Sequence, residues 1–443
     1  MRRHALLLGI LVFSQPLFAA DLVQTYREAR ANDPVYASAR AARDAGRESL
    51  PQGMAQMLPK VVANASTQMN YIGMTFRSTT LPPSTRDGNT NTYGVTLTQP
   101  LFNWQAMMEY KEAGFKVAET EAVFGQATQD LILRVAQAYF DVLASQDSLA
   151  FIQAQKAAIS EQLAQAKRNF EVGTATITDT HEAQARFDLA VSQEIAAQSD
   201  LEIKKSTLQQ IIGKFPERLT PLRHAVHLSP PQPNAMEQWI SRAEDENFAV
   251  RAQQAALAIA SREVERGRAG HYPTINMVGN FSKNSASIFT SGPASYSTDS
   301  IDRSIGLQLS IPLYSGGGIN SLVRQAIANQ EKARHDLENA RRSAALAAHQ
   351  AYLGVTNGIA QVKALEAALV SSQSALDSNE LGYRVGVRIE IDVLNAQQQL
   401  FSTMRDLAQA RYNTLLNGLK LKAAAGTLTE KDLETVNRLL GTS

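Results

Sequence analysis

Side chains equipped for covalent chemistry are few in this chain of 443 residues, and they are scattered. The seven histidines form no H-E-x-x-H pair, and the absence of cysteine removes zinc-thiolate sites, thiol nucleophiles, disulfides and N-terminal lipid attachment together. No G-x-S-x-G elbow occurs, and no Ser/His arrangement points to a hydrolase. Three consecutive glycines, Gly316 to Gly318, open a helical run and could cradle a phosphate, but the matching place in the first half reads Asn103-Trp104-Gln105. A strand-to-helix junction accounts for both. Two carboxylates have a definite local role: Asp179 opens D-T-H-E, a capping box with Glu182, and Asp392 stands where it can cap a helix of its own. The expectation is a protein without catalytic residues, metal or cofactor.

The elements that position these residues come from an internal duplication, which is the main organising feature of the chain. F-E-V-G-T-A-T-I-T-D at Phe170 to Asp179 matches Y-R-V-G-V-R-I-E-I-D at Tyr383 to Asp392. Gly173 and Gly386, Asp179 and Asp392, and Gly213 and Gly426 are each 213 residues apart, and Q-A-Y-F ending at Phe140 aligns with Q-A-Y-L ending at Leu353. Upstream, Pro59 pairs with Pro273 and Pro100 with Pro312. Each half therefore has one plan: helix, strand, polar loop, strand, very long helix, glycine turn, helix.

In the first half, Asp33 as N-cap and Pro34 at the first helical position predict a helix to about Met54. A second runs from near Trp104 to Phe170, with Val123, Ala127, Leu131, Val135, Ala138, Val142, Leu149 and Ile152 stepping by threes and fours as coiled-coil packing requires. At ~1.5 Å per residue that helix is on the order of 100 Å long. The shorter helices 34–54 and 177–212 would stack end to end beside it. The predicted divisions are a signal peptide at 1–20, a first repeat at 21–213, a linker at 214–234 containing Pro-rich Ser229 to Pro233, a second repeat at 235–426, and a C-terminal segment at 427–443 with a helix from Glu430 to Leu440.

Four strand segments alternate apolar and polar residues. Val61, Ala63, Ala65, Met69 and Tyr71 alternate with Asn64, Ser66, Gln68 and Asn70; Tyr93, Val95 and Leu97 with Thr92, Thr96 and Thr98; Ile275, Met277 and Phe281 with Asn276, Asn280 and Ser282. Ile301, Ile305, Leu307, Leu309, Ile311 and Leu313 alternate with Asp302, Ser304, Gln308 and Ser310. The strands are placed at about 58–72, 92–101, 272–284 and 301–313, with long Ser/Thr/Gly-rich loops at Gly73 to Asn91 and Ser285 to Ser300. Such segments suit a membrane barrel around water. A soluble sheet on a core shares the alternation, but the N-terminal signal, the lack of a globular core elsewhere and the loops favour the barrel. Four strands cannot close, and an open edge in lipid costs several kcal/mol for each unpaired backbone group. Two copies would make eight strands and three would make twelve; eight leave little lumen, so three are favoured if anything is transported.

Bulk properties agree with export. Arg2 and Arg3, an apolar stretch from Ala5 to Phe13 and small residues at Ala19 and Ala20 make a secretory signal, with the mature chain starting near Ala20 or Asp21. Its apolar run is shorter than the roughly 18 residues a membrane helix needs, and nothing later supplies one. Lys+Arg 43 against Asp+Glu 42 leaves no charge excess to recommend nucleic acid as a partner, and none is expected.

With Leu58-Pro59, T-Q-P-L-F at Thr98 to Phe102, I-P-L-Y-S-G-G at Ile311 to Gly317, the paired V-G turns, and A-R-Y-N at Ala410 to Asn413 leading to A-A-G-T-L at Ala424 to Leu428, the chain resembles TolC-type outer-membrane efflux and secretion channels across nearly its whole mature length. The resemblance implies a mainly α protein with a membrane β-barrel: a homotrimer with twelve strands on a twelve-helix coiled-coil tunnel in the periplasm. It implies the exit duct of a tripartite export system, docked through a periplasmic adaptor (membrane fusion) protein to an inner-membrane ABC transporter or proton-driven pump. The lack of a lipidation cysteine and the short C-terminal tail favour type I protein secretion over multidrug efflux; a periplasmic coiled-coil adaptor is the competing class. The resemblance further implies an iris-like gate at the periplasmic tip. Tyr383 and Arg388 match latch positions, Thr178 and Asp179 their partners on the neighbouring helix pair, and Asp392 an inward carboxylate at the constriction ring. Asn395 stands where some members carry a second acid, so the ring would hold less negative charge. Gly173, Thr174, Gly386 and Val387 mark the turns where an adaptor would dock.

Overall fold

The computed structural model describes residues 20–77, 83–174, 176–216, 218–223, 226–290 and 296–441, so the expected signal-peptide residues 1–19 lie outside the described residues. The first repeat runs α1 (Leu22–Asn32), α2 (Pro34–Arg47), α3 (Ser49–Ala55), β1 (Lys60–Met74), β2 (Ser84–Phe102), α4 (Trp104–Glu171) and α5 (Ile177–Ile212). The second runs α6 (Met236–Glu246), α7 (Phe248–Ala269), β3 (Thr274–Thr290), β4 (Tyr296–Ser310), α8 (Gly318–Arg384) and α9 (Glu390–Ala424), and α10 (Glu430–Asn437) closes the chain. Contacts gather the described residues into two compact units, one drawn from Met1–Arg40, Gly125–Phe248 and Arg341–Ser443, the other from Ala41–Phe124 and Ala249–Ala340. Each repeat feeds both units, so the repeats are not themselves domains.

Where the sequence predicts one helix from Pro34 to about Met54, the structure has two, α2 and α3, with α1 as a further helix before them. Asp21 N-caps α1, accepting from the Gln24 amide at 2.7 Å. Asp33 ends α1 and starts α2: its amide donates to the Ala29 carbonyl at 2.7 Å and its carboxylate accepts from the Tyr36 amide at 2.8 Å. The break at Glu48 follows from Pro51, which lacks an N–H and fits only the first turn of a new helix.

The unit formed by Ala41–Phe124 and Ala249–Ala340 contains one antiparallel sheet in the order β1-β2-β3-β4. Its register places Ala63, Val95, Phe281 and Arg303 in one row and Ala65, Tyr93, Lys283 and Ile301 in the next. One face is apolar yet exposed, with Met69 at 86%, Ile305 at 77% and Leu307 at 72%. The other carries polar pairs such as Asn70 with Thr90 and Asn284 with Asp302, each at 3.3 Å. Among the described residues no core covers the apolar face within this unit, which a soluble half-buried sheet would require.

Strand limits differ from the sequence-based ones. β2 and β3 extend into the expected loops, because Ser, Thr and Asn pair backbone as readily as apolar residues once the hairpin is started; the remaining loop residues 78–82 and 291–295 lie outside the described residues. β4 stops at Ser310, two residues before Pro312, which has no N–H to donate. The glycines after it form the expected strand-to-helix junction, with Gly316 and Gly317 at φ +59° and +78° leading into α8.

Helices α4 and α8, of 68 and 67 residues, are the longest elements. Leu131, Val135, Ala138, Val142 and Ile152 are buried as their spacing predicts, while Val123 is 50% exposed and its neighbour Ala122 is buried instead. The densest packing surrounds Tyr139, Phe140, Leu131, Ile132 and Leu143, all at 2% exposure or less. The Tyr139 hydroxyl donates to the Thr220 carbonyl at 2.8 Å, and the Phe140 ring stacks on Tyr412 at 5.6 Å. Beside this core the start, middle and end of the chain are clasped together. Ala20 bridges Leu219, Leu222 bridges Leu440, and the Asn437 side chain accepts from the Leu22 amide and donates to Asp21, both at 3.0 Å.

The repeats close their short helices alike. Asn32 donates to the last carbonyl of α5, Ile212, at 3.0 Å, and Asn247 donates to Ala424, the last residue of α9, at 2.9 Å. Gly213 and Gly426 follow at φ +78° and +70°, where only glycine is unstrained.

Candidate functional site

The two glycine turns have one construction. After α4, Gly173 takes φ +78°, its amide donates to the Phe170 carbonyl at 3.0 Å, and the Thr174 amide reaches back to Asn169 at 2.8 Å. After α8, Gly386 takes φ +80°, its amide donates to Tyr383 at 3.1 Å, and the Val387 amide reaches Gly382 at 2.9 Å. These closures cap carbonyls that each helix end would leave unpaired. Val172, Val385 and Val387 stand out at the turns, 73%, 65% and 76% exposed.

Side chains near the turns tie the two helix pairs together within the chain. Ile159 of α4, Ala190 of α5 and Leu394 of α9 form one buried cluster with Phe187 against it. Leu376, Val393 and Leu400 form another, against which Tyr383 packs. The Tyr383 hydroxyl accepts from Asn169 Nδ2 at 3.3 Å, joining α8 to α4. Burial raises the Tyr383 pKa, and the charges of Glu390 and Asp179 raise it further against the opposing Asn169 hydrogen bond. Arg388 folds over Gly382, where an added Cβ would lie 2.7 Å from its Cγ, and its guanidinium meets Asp392 at 3.6 Å.

The remaining expected residues are arranged differently from their sequence reading. Asp179 does not open a box with Glu182; it is the third residue of a box begun by Thr176, accepting from the Thr176 amide at 2.9 Å while the Thr176 hydroxyl accepts from the Asp179 amide at 3.3 Å. Thr176 lies one residue before the helix, so its hydroxyl alone reaches the third amide. Asp392 occupies the first turn of α9 and makes no side-chain cap; the N-cap is Ile389. Thr178 and Asp179 on α5 and Tyr383 and Arg388 around the second turn share no hydrogen bond within the chain among the described residues.

Two residues absent from the sequence reading stand at the centre of this region. Arg186 on α5 donates to Gln398 at 2.7 Å and to Asn395 at 3.1 Å on α9, and pairs with Glu182 at 3.3 Å. Glu390, the first residue of α9, is 7% exposed, and its Oε2 has no partner. Burial, and then the charge of Asp179, push its pKa up to about 7. The repeat itself carried a signal for both: 213 residues earlier Glu390 corresponds to Ile177, and 213 residues later Arg186 corresponds to Gln399. A charged group in only one of two equivalent places marks where the halves have diverged. The set can form and release polar ties between helices. Among the described residues no group of three or more metal-binding side chains exists.

A family profile described as outer membrane efflux protein matches residues 25–214 and again 239–427, one match for each repeat. Outer membrane protein TolC of Vibrio cholerae serotype O1 is 32% identical over 428 residues, covering 96% of this chain and 94% of its own. Alkaline protease secretion protein AprF of Pseudomonas aeruginosa is 32% identical over 431 residues, covering 96% of this chain and 89% of its own. The crystal structure of the CmeC outer membrane channel of Campylobacter jejuni superposes with a TM-score of 0.78 at 16% identity, over 95% of this chain and 90% of that one. With two repeats matched and both relatives aligned nearly end to end, the chain belongs to the outer membrane efflux protein family and is an outer-membrane exit channel of the TolC type.

Proposed function

We propose that three copies of the chain form the exit duct of a tripartite type I protein secretion system, gated where α4 meets α5 and α8 meets α9. The observation that carries the reading is the sheet. β1 and β4 each have a single partner strand, so each offers one unpaired edge, and the apolar face is open. In hydrocarbon such edges must be closed by sister copies, and three give twelve strands around a water-filled bore. AprF, named for alkaline protease secretion, supports protein as the cargo. An adaptor would dock on the turns at Gly173, Thr174, Gly386 and Val387, where the exposed valines offer apolar contact, and the transporter beyond it would be of the ABC class. The second reading, an exit duct for a multidrug efflux pump, is favoured by the description of the family itself.

Deleting the gene separates the two. Secretion predicts loss of a specific protein from the culture supernatant with drug susceptibility unchanged; efflux predicts the reverse. The latch is tested in planar bilayers: Tyr383→Phe, which removes the Asn169 contact, and Arg388→Ser, which removes the Asp392 pair, should each raise resting conductance. Resting conductance equal to wild type in both variants would remove these residues from the gate.

A further inference from the structure

The apolar face of the sheet contains two cations. Register places Arg303 beside Phe281 and Lys283 beside Ile301, so both share the outward face with Tyr93, Val95 and Ile305. Placed diagonally on neighbouring strands, their Cβ atoms are roughly 7–8 Å apart, close enough for two long side chains to reach one anion. The Arg303 guanidinium lies over the Phe281 ring, 5.6 Å from its centre, so it stays on the sheet face. Neither cation has a carboxylate partner among the described residues. Asp299, one row further out, already accepts from the Ser285 hydroxyl.

Depth explains how they are tolerated. From Ile275 to Lys283 the strand rises about 26 Å, or roughly 20 Å once tilted, which nearly fills an apolar band of about 25 Å. Arg or Lys on the lipid face costs about 2–4 kcal/mol at mid-bilayer and about 0–1 near the interface. Lys283 and Arg303 therefore sit at the rim nearer the hairpins, away from the ends that lead to α4 and α8. The opposite rim, at Ile275, Met277, Leu307 and Leu309, bears no outward charge. With the helices on the periplasmic side, the charged rim meets the outer leaflet.

We propose that Lys283 and Arg303, flanked by Tyr93 and Phe281, bind the phosphate of an outer-leaflet lipid headgroup. Two cations on adjacent rows of one face, within reach of a single anion, match a phosphate, and the rings match the acyl and sugar boundary below it. The site rests on the barrel reading above. It is tested on the full-length oligomer extracted in detergent, with native mass spectrometry counting bound bisphosphorylated lipid A and its dephosphorylated counterpart. The wild type should retain the phosphorylated lipid at least tenfold better, Lys283→Gln/Arg303→Gln should lose that preference, and Lys60→Gln, on the opposite face, should keep it. Equal retention of both lipids by the wild type overturns the proposal even if the double variant fails to fold. So does displacement of the lipid by excess inorganic phosphate, which would make the site a free-anion site. Failure of the barrel reading is seen separately, as a chain that stays soluble without detergent and shows no heat-dependent shift on a gel.

Discussion

Where the equivalent residue of the first repeat, Ile177, is exposed, Glu390 is a buried ionisable group. Its pKa, raised to about 7 by burial and by Asp179, fixes the sign of a pH effect. Between the ordinary carboxylate range and about 7 the packed state holds a proton that the loosened state gives up, so packing at the turns weakens as pH rises through that window. The groups facing it are Asp179 from α5 and Tyr383 from α8, while the Arg388–Asp392 pair belongs to the same turn and helix. Glu390→Gln should remove the slope of resting conductance between pH 5 and 8 and leave the channel as tight at pH 8 as the wild type is at pH 5; an unchanged slope would exclude Glu390 as its source. A second residue-scale expectation concerns Asp33, 2% exposed and held by Arg134 at 2.7 and 3.2 Å. Burial alone would raise its pKa, but the Arg134 and Tyr36 hydrogen bonds prevail and lower it. Arg134→Ala strands that carboxylate and should cost about 3 kcal/mol in denaturant unfolding, less at acid pH, where Asp33 takes up a proton. Asp33 was legible in the sequence because Asn-Asp-Pro is a local signal, whereas Arg134 lies 101 residues away on a helix face and has none.

At the scale of elements, the turn glycines separate two costs that sequence alone cannot. At Gly386, φ is +80° and an added Cβ meets nothing within 4 Å, so Gly386→Ala should cost only the conformational strain, about 1–2 kcal/mol. At Gly426, φ is +70° and the Cβ would lie 2.3 Å from the Glu246 carbonyl, so Gly426→Ala should be markedly worse. Melting of the detergent-solubilised protein by circular dichroism orders the two; equal losses would show that the approach of α6 to the end of α9 carries no stability. The same contrast explains what could be read beforehand. α4 and α5 lie within a residue of their expected limits because a heptad seam and a glycine stop are local codes. The start of α2 at Pro34 was legible, but the break between α2 and α3 was not, since proline in a first turn and proline inside a helix look alike until the neighbouring turn is placed. Strand ends also escaped, because polar hairpin residues continue the ladder without the alternation that marks the lipid-facing part.

For the whole molecule, the open edges of β1 and β4 predict their own closure. The chain has no cysteine, so one cysteine placed in β1 and one in β4 should give, on oxidation, covalent products ending at three chains. A ladder continuing past three, or none at all, would contradict trimeric closure. The duplication made the plan of the chain visible from sequence, yet nothing in it showed that each repeat is divided between two compact units, because contacts between distant segments leave no periodic trace. The clasp of Ala20, Leu219, Leu222 and Leu440, with Asn437 spanning Asp21 and Leu22, also sets an order of events. A polypeptide delivered from its N-terminus leaves the Leu22 amide and the Arg218–Arg223 segment without their last bonding partners until Asn437 to Gly441 arrive. Completion therefore waits on Asn437 to Gly441, and a chain cut before α10 would be stalled with its earlier helices made and this clasp unfastened.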